Sequence, residues 1–148
     1  MPPVVDVSTD GVRVPVSRAR VKEIVAVVLR AAKVKDALIS VAFVTSRRMT
    51  AMNRQHLAHE GATDVLSFGF AAHGPSARVI GDIYIAPGIA RENAIEHGRG
   101  VREEITRLVV HGTLHVLGHE HPEGSGRTTS PMWKLQERLV RRLAGAGR

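Results

Sequence analysis

Cysteine is absent from the 148 residues. Disulfides and thiolate metal sites are therefore excluded, and any transition metal has to rely on His, Asp or Glu. Aromatic residues make up only 3%, so the core must be built from Val, Ile, Leu and Ala. No aromatic-rich platform for stacking single-stranded bases is evident. No apolar run approaches the ~18 residues of a membrane span. The opening "MPPVVDVSTDG" lacks the charged start and apolar stretch of a signal peptide. A cytoplasmic location with no membrane partner is the expectation.

What is present suits one domain over 1–148, with a hydrophobic fraction of 43% that is ordinary for a globular chain. The formal net charge is +7, and Arg outnumbers Lys 17 to 4. Such a surface favours polyanionic partners, because guanidinium binds phosphate bidentately. Codon usage in a GC-rich genome accounts equally well for the Arg:Lys ratio.

No repeat or low-complexity tract interrupts the chain. "VVDVSTDGVRVPV" reads as a strand, a turn at Asp10-Gly11 and a second extended piece. Ser17 is placed to cap a helix through about Ala32, with Val21, Ile24, Val25, Val28 and Leu29 as its apolar stripe. "ALISVAFVT" is predicted as a strand buried inside a sheet, followed by a short helix from Ser46 to His56. "TDVLSFGF" and Val79–Ala86 are further strands, and Pro87 closes the latter and opens a helix to His97. A helix from Val101 to Leu117 has Glu103 and Glu104 at its positive end, a stripe of Val101, Ile105, Leu108 and Gly112, and Gly118 as its stop. "PEGSGRTTS" reads as a flexible loop. Ser130 as N-cap and Pro131 at N1 start the last helix. Four strands and four or five helices indicate one α/β or α+β domain.

The chemistry concentrates in "LVVHGTLHVLGHEH", Leu108 to His121, which holds four of the eight histidines. His111 and His115, four apart, share a helix face. Gly118 lets the chain reverse so that His121 reaches the same point. Three protein ligands leave an open position, the mark of a catalytic rather than a closed zinc site. Chance would produce this triple roughly 0.02 times in such a chain, so a metal site is the reading carried forward. One Zn2+ per chain is expected, with Ni2+ and Cu2+ also suited to imidazole. His119, in the turn, is open to three roles: fourth ligand, proton shuttle or, the favoured one, an exposed side chain.

The spacing matches zinc proteases of the H-E-x-x-H-x-x-G-x-x-H type, but Gly112 stands where their general-base Glu belongs. Glycine costs a helix about 1 kcal/mol relative to Ala, so close packing against the "TDVLSFGF" strand or the chain around it is expected there. The helix supplies no base of its own. Phosphodiester hydrolysis by an activated water, with a cationic clamp, suits the +7 surface better than peptide hydrolysis.

"HGTLHVLGHEH" resembles the H-G-x-L-H-L-x-G-Y-D-H signature of the YbeY family of bacterial metal-dependent single-strand endoribonucleases. "TDVLSFGF" is similar to the family's T-N/D-V-L-S-F-P-F, and "IGDIYIA" to its L-G-D-I-x-I strand, in the same order. The resemblance spans about Val41 to Leu143. It implies an α+β fold with a mixed four- or five-stranded sheet, a zincin-like metal helix and zinc on His111, His115 and His121. It also implies maturation of the 16S ribosomal RNA 3′ end and ribosome quality control, with ribosomal RNA precursor and the small ribosomal subunit as partners. His119-Glu120 replaces the family's aromatic-acid pair, so Glu120 keeps a carboxylate near the metal and is a catalytic candidate. The family arginine six residues before the motif threonine is Leu57 here. Arg54, one helical turn earlier, is the candidate replacement, with His59 behind it. A zinc peptidase whose base comes from elsewhere, such as Glu120, and a noncatalytic ribosome-associated protein with a structural metal remain the competing readings.

Overall fold

Ser17 sets where the first helix begins. The computed structural model describes residues 2–57, 63–70, 78–121 and 124–146. In it the Ser17 side chain accepts a hydrogen bond from the Arg20 amide at 3.1 Å, satisfying one of the unpaired donors of a helix start. Helix α1 (Arg18–Ala31) then buries the expected stripe of Val21, Ile24, Val25, Val28 and Leu29. Strand β1 (Val4–Thr9) precedes it. There follow β2 (Ala37–Phe43), α2 (Ser46–Leu57), β3 (Val65–Phe70), β4 (Val79–Ile85), α3 (Pro87–Glu96), α4 (Val101–Val116) and α5 (Pro131–Ala146). Among the described residues no helix is long and apolar enough to cross a membrane.

The strands form one mixed sheet in the order β1-β2-β4-β3, the α+β arrangement expected. β2 runs parallel to β1 and β4, while β3 pairs antiparallel with β4 and lies at an edge. Residues 12–14, after the turn at Gly11, join no strand.

Two expectations are corrected. β2 is central but not buried on both faces: Ala37, Ile39, Val41 and Phe43 are buried, whereas Leu38, Ser40 and Ala42 alternate with them and are not. The helices that form the main core cover one face only, and part of the other stays open. Val4, Leu38, Ile80 and Phe70 lie in register across that open face and are exposed. Further along it, a smaller cluster joins Met49 and Met52 of α2 to Leu66 and Tyr84. The second correction concerns Gly124–Thr129, which forms a 3-10 segment and not an irregular loop. Its end is tied by Ser130, whose amide and Oγ both donate to the Arg127 carbonyl, at 3.3 and 2.8 Å. The same Ser130 Oγ accepts from the Trp133 amide at 3.2 Å and so caps α5 as expected.

α4 is the hub. Where an amphipathic stripe was expected, the helix is buried almost all round from Glu104 to Leu114, because α1, α3, α5 and the sheet all pack on it. Its closeness to the sheet depends on missing side chains. Gly69 and Gly81, partners across β3 and β4, lie under Val116. A Cβ on Gly112 would meet Ile83 Cγ2 at 2.7 Å, tighter than packed atoms tolerate. The expected close packing at Gly112 is therefore present, and its partner is β4 Ile83, the register neighbour of β3 Ser67.

Candidate metal centre

His111 and His115 emerge from one face of α4 because they are four residues apart. The return of the chain that brings in His121 is a Schellman turn. Gly118 takes φ +96, its amide donates to the His115 carbonyl, and the His119 amide reaches back to Leu114, each at 3.0 Å. The ring centroids of the three histidines then stand 4.6, 5.1 and 5.0 Å apart. One ligand nitrogen from each lies within 4.8 Å of the others. They line an open cavity of about 710 Å³, whose other wall is Thr63 to Phe68 at the edge of the sheet.

The donor set fits a metal ion. His111 Nδ1 lies 2.6 Å from Gln136 Oε1. Gln136 is 1% exposed, and its Nε2 donates to Glu137 Oε2 at 3.0 Å, which fixes the amide orientation. Nδ1 of His111 must therefore carry the proton, leaving Nε2 free to bind a metal. Glu137 is itself gripped by Arg107, through Nε at 2.8 Å and Nη2 at 2.9 Å. Arg107 also donates to buried Glu104 at 3.0 Å. The imidazole thus rests on a buried polar chain running across α4 and α5.

Burial lowers the His111 pKa to about 4, with the charges of His115, Arg127 and His121 acting in the same direction against the Gln136 hydrogen bond. Burial also lowers that of His115, aided by His121. Both rings stay neutral at ordinary pH, as metal ligands must. In the metal-free protein the folded pKa of His111 is below its unfolded value. The unfolded chain therefore takes up a proton first, and stability falls as pH drops from about 6.5 towards 4. The loss from His111 should approach about 3 kcal/mol. Urea midpoints of metal-free wild type and His111→Gln across that window check this; equal slopes would contradict it.

Gln136 lies outside the histidine motif, but its position in the sequence carries a signal. It sits among Met132, Leu139, Val140 and Leu143, the buried face of α5, and a lone amide on an apolar face needs a polar partner. Gln136→Leu is expected to fold but to bind metal about 10- to 100-fold more weakly, as read by competition with a chromophoric chelator. Unchanged affinity would remove Gln136 from the site.

Three charged groups share the cavity wall with the histidines: Asp64, Glu120 and Arg127. Glu120 is exposed. Asp64 is raised above the usual carboxylate range, chiefly by burial, although Asn93 Nδ2 donates to it at 2.9 Å. Arg127, in the 3-10 segment, holds its guanidinium 5.7 Å from the centroid of the Trp133 ring. Arg54 is an exposed residue of α2 and is not on this wall. His59 lies outside the described residues. His119 is half-buried, not exposed, and lines a separate apolar cleft with Val28, Leu114, Leu135 and Leu139, because the Schellman turn carries it past the helix end.

The family model described as "Endoribonuclease YbeY" matches residues 7–144. The chain belongs to the YbeY family. Curated YbeY endoribonucleases are similar to it: that of Persephonella marina is 33% identical over 130 residues, covering 86% of this chain and 84% of that protein. That of Frankia casuarinae is 33% identical over 142 residues, covering 88% of this chain and 70% of the relative. A Thermotoga maritima protein solved in solution shares the fold, with a TM-score of 0.62 at 23% identity over 98% of this chain and 92% of its own.

Proposed function

We propose that this YbeY-family protein is a zinc-dependent endoribonuclease of the cytoplasm, acting on single-stranded segments of ribosomal RNA precursor, including the 16S 3′ end, in contact with the small ribosomal subunit. The observation that carries the hydrolytic reading is the convergence of His111, His115 and His121 on an open cavity. A divalent ion held there supplies Lewis acidity toward a phosphoryl oxygen and makes water a competent nucleophile near neutral pH.

The chain's own residues divide the remaining work. Gln136 holds His111 in the ligand tautomer. Glu120, exposed on the cavity wall, receives a proton from the attacking water. Asp64 keeps its proton to higher pH than a surface aspartate, which suits donation to the leaving oxygen. Arg127, and Arg54 from outside the cavity, supply positive charge for the phosphate as its oxygens become more negative. A peptidase reading draws on the edge strand β3, since a peptide can pair with such an edge. It lacks a base on α4 and gains nothing from the +7 charge.

Cleavage of structured ribosomal RNA and of casein, each with and without chelator, separates the readings. Chelator-sensitive RNA cleavage with intact casein is the expected result, and casein cleavage alone would overturn the proposal. In the same assay Arg54→Ala is expected to lower turnover at least about tenfold, or about 1.4 kcal/mol, at unchanged metal content and thermal midpoint. Wild-type turnover would make Arg54 a surface residue. An equal loss in the distant Arg141→Ala would indicate general attraction of RNA.

A further inference from the structure

The chain has one tryptophan, and the aliphatic core does not absorb it. Trp133 is half-buried on the first turn of α5 and lines a second cavity of about 370 Å³. That cavity adjoins the metal pocket: Asp64, His111 and Arg127 line both. Its remaining wall is mixed: Asn93, His97, Arg99 and the Arg107–Glu104 pair are polar, and Leu108 is apolar. A cavity with one large π-face and several hydrogen-bonding groups, open beside a phosphodiester-cleaving centre, has the make-up of a base pocket. Arg127 stands between the two spaces, with its guanidinium over the Trp133 ring.

We propose that Arg127 and Trp133 form a nucleotide subsite beside the metal centre, in which the guanidinium takes the phosphate at the metal pocket and the indole stacks the adjoining base. The proposal rests on the ribonuclease reading and supplies what that reading leaves open, how single-stranded RNA is preferred. In a duplex the base is paired and stacked and cannot enter the pocket, so the subsite admits unpaired nucleotides. His97, whose Nδ1 bonds the Asn93 carbonyl, and Arg99, paired with Glu104, line the same cavity and offer their remaining nitrogens to the base edge. Arg127 also places a cation on the cavity wall in a chain whose family arginine position is Leu57.

Because Trp133 is the sole tryptophan, its fluorescence reports on this subsite alone. Metal-loaded protein is mixed in a stopped-flow instrument with a single-stranded RNA decamer, and separately with an abasic ribose-phosphate decamer of equal charge. Emission is followed before cleavage, and cleavage of the RNA decamer is scored later in the same mixture. The RNA decamer should quench Trp133 saturably and the abasic chain should not. By anisotropy of labelled RNA, Trp133→Ala should weaken binding about tenfold, while Trp133→Phe should stay within about twofold of wild type, both at wild-type metal content. Equal quenching by the abasic chain, no quenching by RNA, or wild-type affinity in Trp133→Ala would overturn the subsite. If Trp133→Ala does not fold, the wild-type quenching comparison and Trp133→Phe decide. Base-dependent quenching without later cleavage would support the subsite and overturn the nuclease reading. Cleavage without base-dependent quenching would do the reverse.

Discussion

His115→Ala should yield a folded protein that has lost its metal. The side chain is half-buried on the cavity wall, so its removal opens little space in the core, and alanine is the best helix former. Two imidazoles remain, and a divalent ion held by two neutral ligands exchanges readily with solvent. Elemental analysis should fall from about one ion per chain to a small fraction, and RNA cleavage should fall by at least about a hundredfold, since the nucleophile and the Lewis acid are lost together. Full occupancy in the variant would overturn the assignment of the centre. Two controls sharpen the result. His119→Ala should keep its metal, because His119 faces the apolar cleft on the other side of the turn. His111→Ala should lose metal and stability together, because His111 is 6% exposed and its removal leaves Gln136 without its buried partner.

What could be read from the sequence is what is written locally. Ser17, Gly118 and Ser130 each act on amides or carbonyls within a few residues, and each was identifiable from its position beside an apolar periodic segment. The three histidines were legible for the same reason: a helical turn followed by a glycine reversal fixes their relation within eleven residues. Arg127, Asp64 and Trp133 come from separate parts of the chain and meet the histidines only through the packing of α4 against β3 and α5; the "TDVLSFGF" motif marks the segment of Asp64, but no spacing ties any of the three to the histidines. Gln136 was a partial exception, a polar residue on an apolar face. For β2 the apolar composition suits burial on both faces, but the burial of its second face depends on which elements pack there. The Gly124–Thr129 sequence is ambiguous because small polar residues suit a 3-10 turn as well as a loop, and here the turn is tied at its end by the Ser130 hydrogen bonds to Arg127.

Gly112→Glu restores the protease motif on paper and should instead damage the fold. The position is buried, and a Cβ alone would stand 2.7 Å from Ile83 Cγ2. Ile83 is fully buried in β4 and has no free direction in which to move. Gly112→Ala should therefore carry an overpacking cost of about 1–3 kcal/mol, offset in part by about 1 kcal/mol of helix propensity. Glutamate adds a carboxylate to the same crowded interface between α4 and the sheet. Either it stays charged and unpaired, or it is protonated at a cost in pKa; both add several kcal/mol. Against a typical total stability of about 5–15 kcal/mol, Gly112→Glu should lower the thermal midpoint by roughly 10 °C or more or prevent soluble expression, with Gly112→Ala between it and wild type. The steric clash also bars the carboxylate from serving as a protease base without displacing β4 from α4. Calorimetry on the three proteins, with casein as substrate, tests both halves of the argument. A Gly112→Glu protein with a wild-type midpoint and new caseinolytic activity would show that Ile83 yields easily and that the missing glutamate alone separates this centre from a peptidase.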